Sequence, residues 1–370
     1  MAEDTASVVV GLPGRAYPIN IGSGLLAGAG ACLRGRSSAQ RVTVVTDSNV
    51  GPLYAEKLST SLEQAGFQCH VLTVPAGDAS KSAAQAAVLY DALAERRHSR
   101  TEPVVALGGG MVGDLAGFVA ATWLRGVPFV QCPTTVEADV DASVGGKTAI
   151  NHLAGKNLIG AFHQPLLVCI DTDCLRTLSR RDFVAGLAES VKHAVIRDAA
   201  FFAWHEDRSA AILAQDPITV RDLIRRNCEN KAQVVVADER EEAEQGVGRA
   251  ALNFGHTIGH AIEAQFNYEL RHGEAVALGM VAAMDLAVRL CGFPDAQRHR
   301  VEALLKSLEL PIRSPHPLDL PDILARLGAD KKVRDRTVRF ILPTNLGSVR
   351  WLDAPSEGDI EQAVRRLQGP

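Results

Sequence analysis

His256 and His260 stand four residues apart in NFGHTIGHAIE, so on a helix both imidazoles project from one face, and His272 follows in RHGEAVALGM. Glu189 lies in FVAGLAESVKHAV, where Phe183, Leu187, Val191 and Val195 recur every four residues. A carboxylate in so apolar a helix needs a partner if it is buried, and a cation would provide one. Two imidazoles and a carboxylate form the donor set of an open Zn2+ site, with Co2+ as the alternative, and leave positions for water or substrate. Thr257 follows His256, so the HExxH pattern with its general base is absent. Taken singly, each histidine could equally be a core or capping residue.

A second group of residues suits anions. Val104 to Leu107 reads as a buried strand and runs into Gly108, Gly109 and Gly110, after which an apolar helical segment continues to Ala121. A strand, a glycine turn and a helix N-terminus can cradle a phosphate, although GGGMVGDLAG is not the GxGxxG fingerprint. Asp47 and Asp78 follow two earlier strands, where ribose hydroxyls would sit in an open α/β sheet, or where Asp47 and Ser80 could instead cap helices. PTTVEADVDASVGGKTAINHLAGKN carries Asp141, Lys147, Lys156 and Asn157; a lysine after a Gly-Gly turn with a second nine residues on could ground a phosphate or be solvated. Lys192, Lys231, Arg249, Asn253, Lys331 and Lys332 are further donors, and if they converge the ligand is an anion with more than one charged group.

These residues need elements to hold them. Arg41 to Thr46 and Cys69 to Val74 read as strands, and Pro52 to Ala65 and Ala83 to Arg97 as helices, so residues 1–178 are expected to form an α/β domain with a Rossmann-like parallel sheet. From Arg181 to about Leu308 helical periodicity dominates, and β-branched runs return only at Thr337 to Leu342 and Ser348 to Trp351. Residues 179–370 are expected to be mainly α-helical, with Pro311 to Pro321 a loop.

Composition narrows the class. The 370 residues, 46% hydrophobic and 22% charged, suffice for two ordinary cores, and the net charge of -4 without a basic run excludes a nucleic-acid footprint. Seven scattered cysteines without CxxC spacing argue against a disulfide framework. No segment looks like a signal peptide or a membrane span, and the expected location is the cytoplasm.

PAGDASKS, GGGMVGDLAGFVAATWLRG, DASVGGKT, GKNLIGAFHQP, IDTDCLRTL, AGLAESVKH, LNFGHTIGHAIE, HGEAVALGM and ADKK occur in this order between about Val42 and Leu342. In these blocks the sequence resembles the 3-dehydroquinate synthases of the shikimate pathway, within the sugar phosphate cyclases. The resemblance implies conversion of 3-deoxy-D-arabino-heptulosonate 7-phosphate to 3-dehydroquinate and phosphate by transient NAD oxidation, phosphate elimination, reduction and intramolecular aldol closure. It implies that NAD+ is touched by Asp47, Asn49, Asp78, Lys81, Gly109, Gly110, Asp114, Thr134 and Thr135, with Lys156, Asn157, Thr177 and Leu178 closing the site. The metal, usually zinc, would be held by Glu189, His256 and His272. Substrate contacts would be Asp141, Lys147, Asn157, Lys192, Lys231, Arg249, Asn253, His260 and the Lys331/Lys332 pair, and Arg125 would reach the phosphate of a neighbouring subunit in a homodimer.

Two departures stand out: Val136-Glu137-Ala138-Asp139 replaces a block that is apolar or amide-bearing in the family (LLAQ or similar), and Asp78 stands where a glutamate is common. Relatives that cyclise substrates lacking a carboxylate are disfavoured by Lys231, Arg249 and Leu252, whereas an amino-dehydroquinate variant is not separable by sequence. A metal-dependent polyol dehydrogenase would not require the GGKT and GKN blocks, and a non-catalytic NAD-binding descendant would not require Glu189, His256 and His272 together.

Overall fold

The computed structural model describes residues 5–242, 246–266, 269–334, 339–353 and 355–368, apart from the side chains of 329–334. Strands β1 (Thr5–Val10), β2 (Tyr17–Gly22), β3 (Arg41–Asp47), β4 (Gln68–Val74), β5 (Val104–Gly108), β6 (Phe129–Pro133), β7 (Lys147–His152), β8 (Gly155–Phe162) and β9 (Leu167–Asp171) alternate with helices α1 (Ala29–Arg34), α2 (Gly51–Gln64), α3 (Ala83–Glu95) and α4 (Gly110–Thr122). Seven of these strands make one sheet in the order β1-β2-β9-β6-β5-β3-β4, parallel except for the β1/β2 pair. All five residues of β5, β6 and β9 are buried, as befits parallel strands covered on both faces.

Alternation along the strands sends side chains to two cores. Val44, Val105 and Leu107 pack with Leu33, Leu58 and Leu62 of α1 and α2. Val45, Val104 and Ala106 pack with Leu89, Leu93, Leu115 and Val119 of α3 and α4. After β3 the chain first adds β4 on one side and then returns to place β5 on the other, so the order reverses between β3 and β5. Ligands of open α/β sheets bind beyond the carboxyl ends of strands at such a reversal, and the strands on either side of it end here at Asp47 and Gly108.

The helices α5 (Arg180–Arg197), α6 (Ala199–Leu213), α7 (Pro217–Ala237), α8 (His256–Gln265), α9 (His272–Cys291), α10 (Asp295–Ser307), α11 (Leu320–Arg334) and α12 (Glu357–Arg366) follow, with the antiparallel hairpin β10 (Arg339–Asn345) and β11 (Ser348–Asp353). Two compact units result, residues 1–178 with 220–236, and residues 179–219 with 237–370. The first division falls at Leu178, and most of α7 packs with the first unit, because Lys231 and Cys228 contact Asp141 and Asp139 there. In the second unit α9 is almost wholly buried and packs against α5, α8, α10, α12 and β10. No described helix is long and apolar enough to cross a membrane, and none of the seven cysteines is in a disulfide.

The DASVGGKT to GKN region, read from sequence as a phosphate-grounding segment, is a π-helical turn over Ala138–Ala142 followed by the antiparallel β7/β8 hairpin. Asp139 in that turn is 1% exposed, and among the described residues no donor reaches either of its carboxylate oxygens. Burial, reinforced by Asp171, holds its carboxyl well above the ordinary carboxylate range. A raised folded-state pKa gives stability that is complete below the unfolded value near 4 and is lost as pH rises through the folded value. Asp139→Asn should therefore gain on the unsubstituted protein as pH rises from roughly 5 to 8, by at most about 1.4 kcal/mol per pH unit. Denaturant melts across that range measure it, and a constant difference would mean that Asp139 is ionised and paired.

Candidate active site

In the second unit, Glu189 of α5 is fully buried and pairs with the equally buried Lys192 one turn on. His256 Nε2 lies 3.5 Å and His272 Nε2 3.4 Å from the same oxygen, Glu189 Oε1. His260 joins them, its ring 5.1 Å from that of His256 and 5.7 Å from that of His272. The ligand atoms of the three histidines lie within 4.8 Å of one another.

Glycines make this convergence sterically feasible. A methyl group on Gly273 would lie 1.8 Å from Ala185 O, and one on Gly279 would lie 1.9 Å from Gly255 O, so α9 touches α5 and the start of α8 backbone to backbone. Gly255, immediately before His256, has φ +79 and turns the chain into α8 through the left-handed region. The start of α9 is tied down by Glu274, which accepts from Arg271 N at 2.9 Å and from Arg181 of α5 through two bonds of 2.7 Å.

The His256 and His272 rings are also held from behind. His256 Nδ1 lies 3.1 Å from Phe254 O, which can only accept, so Nδ1 carries the proton and Nε2 presents a lone pair. Burial, with the Lys192 charge next, lowers the His256 pKa to about 3 and keeps the ring neutral. His272 Nδ1 faces Glu263 Oε2 at 3.3 Å. A carboxylate oxygen and an unprotonated imidazole nitrogen facing each other are both acceptors, and a divalent cation is the group that satisfies both. The donor set fits a metal.

Of the remaining donors in this unit, Arg249 is 1% exposed and donates from Nη1 to Glu239 O at 2.7 Å, while Asn253 Nδ2 donates to Glu241 Oε1 at 3.1 Å. Lys331 and Lys332 lie outside the residues whose side chains are described.

In the first unit, the α4 N-terminus opens at Gly109, where a methyl group would come within 3.0 Å of the Thr135 side chain. Thr134 N donates to Gly108 O at 3.1 Å. Lys81 Nζ reaches Asp114 Oδ2 at 2.5 Å and also Asn157, whose backbone is left-handed at φ 58. Burial raises the Asp114 pKa against the lowering effect of Lys81. Asp78 accepts from Asn151 Nδ2 at 3.1 Å and lies 3.3 Å from Lys156 Nζ. Thr177 Oγ1 shares a 2.7 Å bond with Tyr54, and Leu178 N donates to Leu175 O at 3.2 Å. Lys231 Nζ donates to the Asp141 carbonyl at 2.5 Å and pairs with its carboxylate.

The capping alternatives resolve differently for the two candidates. Asp47 Oδ1 accepts from the Asn49 and Val50 amides at 2.8 and 3.0 Å and so shapes the turn into α2. Ser80 instead donates to Pro75 O at 2.6 Å, and α3 is capped by Ser82. Lys147 begins β7 and Lys156 lies near the hairpin tip, about 13 Å of strand away. Glu263 was missed from sequence, although positions 256, 260 and 263 follow the i, i+4, i+7 pattern of a single helix face.

A doubly wound α/β unit followed by a helical unit is an architecture that this chain shares with solved sugar phosphate cyclases. The sequence matches the family models for 3-dehydroquinate synthase N-terminal over residues 71–185 and 3-dehydroquinate synthase C-terminal over residues 186–333. It is 48% identical to a 3-dehydroquinate synthase of Symbiobacterium thermophilum over 90% of this chain and 92% of that one. Identity to the 3-dehydroquinate synthase of Desulforamulus reducens is 45% over 96% and 98% of the two chains. Among solved structures, ValA, the 2-epi-5-epi-valiolone synthase of Streptomyces hygroscopicus subsp. jinggangensis with NAD+ and Zn2+ bound, superposes with a TM-score of 0.86 at 29% identity, covering 95% of this chain and 96% of that one. The chain belongs to the 3-dehydroquinate synthase family. Its reaction is the closure of 3-deoxy-D-arabino-heptulosonate 7-phosphate to 3-dehydroquinate with release of phosphate.

The α5/α9 contact behind the metal donors is open to test. Gly273→Ala should lower stability by about 1–3 kcal/mol or more through overpacking, read as a lower denaturant midpoint. An unchanged midpoint would mean that the two backbones do not touch at Ala185.

Proposed function

We propose that this cyclase is a carbon–oxygen lyase that depends on NAD+ and a divalent metal, with Glu189, His256 and His272 as the metal ligands. One observation carries the reading: two imidazole Nε2 atoms meet a single oxygen of a fully buried carboxylate at 3.5 and 3.4 Å. When bound, Zn2+ or Co2+ supplies a Lewis acid that favours the alkoxide of a substrate hydroxyl. NAD+ would be held by Asp47, Asn49, Asp78, Lys81, Gly109, Gly110, Asp114, Thr134, Thr135, Lys156, Asn157, Thr177 and Leu178; it supplies a hydride acceptor that returns what it takes. The same cofactors occur in ValA, which supports the assignment.

The chain's own groups then bind and orient a doubly anionic substrate. Lys192, Lys231, Arg249 and Asn253 offer cationic or amide donors, Lys147 adds an exposed ammonium, and Asp141 orients Lys231. His260 is solvent-exposed beside the two metal-ligating rings, where it can hand a proton to or from a substrate oxygen. Lys331 and Lys332 complete the substrate set in this proposal.

The functional unit is proposed to be a cytoplasmic homodimer in which Arg125 serves the neighbouring active site. In support, Leu124 and Arg125 occupy two successive left-handed positions, φ 49 and φ 66, which present an exposed arginine on a stiff turn. The β7/β8 hairpin also exposes Leu153, Leu158, Ile159 and Phe162, as a surface that pairs with another copy would.

Purified protein is expected to release inorganic phosphate from 3-deoxy-D-arabino-heptulosonate 7-phosphate without accumulating NADH. Release from sedoheptulose 7-phosphate or glucose 6-phosphate but not from this substrate would reject the assignment, and net NADH from a polyol would indicate a dehydrogenase. His256→Ala should lose activity and bound Zn2+ together, by elemental analysis of the purified variant; full metal content would remove His256 from the ligand set.

A further inference from the structure

The two proposed histidine ligands are braced in different ways. The acceptor behind His256 is Phe254 O, two residues back in the same chain segment, so its position is fixed by the backbone. His272 is the first residue of α9, and its side chain is 27% exposed, more than twice the 12% of His256. A ring at a helix start, with solvent on one side, has weak rotamer restraint of its own. Its Nδ1 meets Glu263 Oε2 at 3.3 Å, and Glu263 comes from another helix, α8, with a side chain only 6% exposed.

A carboxylate at that depth is costly unless it accepts hydrogen bonds, and an imidazole N–H aimed at it is a suitable donor. If Nδ1 keeps the proton, Nε2 must face Glu189 as a lone pair. The carboxylate also makes the imidazole a stronger donor to a cation than a carbonyl does. Glu263 shares a helix face with His256 and His260, so one α8 surface carries a first ligand, a proton carrier and the brace for the second ligand.

We propose that Glu263 is a positioning residue: its carboxylate fixes the Nδ1–H tautomer and the orientation of His272, and thereby sets the affinity of the metal centre. The proposal rests on the reading of Glu189, His256 and His272 as a divalent-metal site. Two substitutions separate charge from hydrogen bonding. Glu263→Gln keeps an accepting oxygen in an isosteric side chain and removes only the charge, whereas Glu263→Leu removes both.

The test is Zn2+ affinity, measured on metal-stripped full-length protein by competition with a chromophoric chelator, together with the 15N shifts of the His272 ring in the metal-free state. Glu263→Gln should weaken Zn2+ by about three- to ten-fold, and Glu263→Leu by about ten- to hundred-fold. The His272 proton should sit on Nδ1 in the unsubstituted protein and in Glu263→Gln, and lose that preference in Glu263→Leu. A merely structural role would lower the melting temperature and leave the tautomer where it is. Wild-type Zn2+ affinity in Glu263→Gln, or an Nε2–H tautomer in the unsubstituted protein, would overturn the proposal. Failure of the unsubstituted protein to bind Zn2+ would instead reject the metal centre beneath it.

Discussion

The second unit is organised around the burial of one carboxylate. Glu189 is fully removed from solvent inside a helix whose other buried positions are mostly apolar. An isolated charge in such a place is prohibitively costly, so its surroundings must supply positive charge or cation-binding partners. They do so at short range: Lys192 lies one turn on, and two imidazoles present lone pairs to the same oxygen. The Gly273 and Gly279 contacts, the left-handed Gly255 and the Arg181–Glu274 clamp all serve to bring three helices close enough for that arrangement.

The first unit meets the opposite demand, for negative charge on a ligand. Where the sheet order reverses, the carboxyl ends of β3 and β5 lie side by side, and the chain leaves one through the Asp47 turn and the other through the glycine turn. Gly109 carries no side chain that could cap α4, and a helix N-terminus of this kind favours an anion. Lys81, Asp114 and Asn157 form a polar cluster drawn from three segments. Anion binding at a helix N-terminus depends on backbone position more than on side-chain identity, so the GxGxxG pattern is not required for it.

Much of this was legible in the sequence. Periodicity located β3, β4, β5, α2, α3 and α4 to within a residue or two, because runs such as Val104 to Leu107 are buried on both faces and bounded by glycine. The four-residue spacing of His256 and His260 placed both on one face of α8. The β7/β8 hairpin was less legible: its turn at Leu153 and Ala154 lacks an Asn-Gly or Asp-Gly signal, and β8 is too exposed to show alternation. The packing of most of α7 with the first unit was not legible at all, since the contacts of Cys228 and Lys231 with Asp139 and Asp141 span about ninety residues of sequence. Helical periodicity says which face is apolar but not which core receives it.

The two carboxylates that depart from the family's usual block have unequal consequences. Asp139 stands at the amide-bearing position of that block and is buried without a donor among the described residues. Burial favours its protonated form, a neutral polar group like an amide, so the charge of the turn depends on pH at this position. Glu137 stands at an apolar position but is only half-buried, with Oε1 3.8 Å from where a methyl group on Gly110 would lie. There the α4 dipole favours its charge, and that same field would hold a nucleotide phosphate. Asp139 thus bears on the stability of the turn that carries Asp141, while Glu137 bears on how strongly the glycine turn attracts an anion.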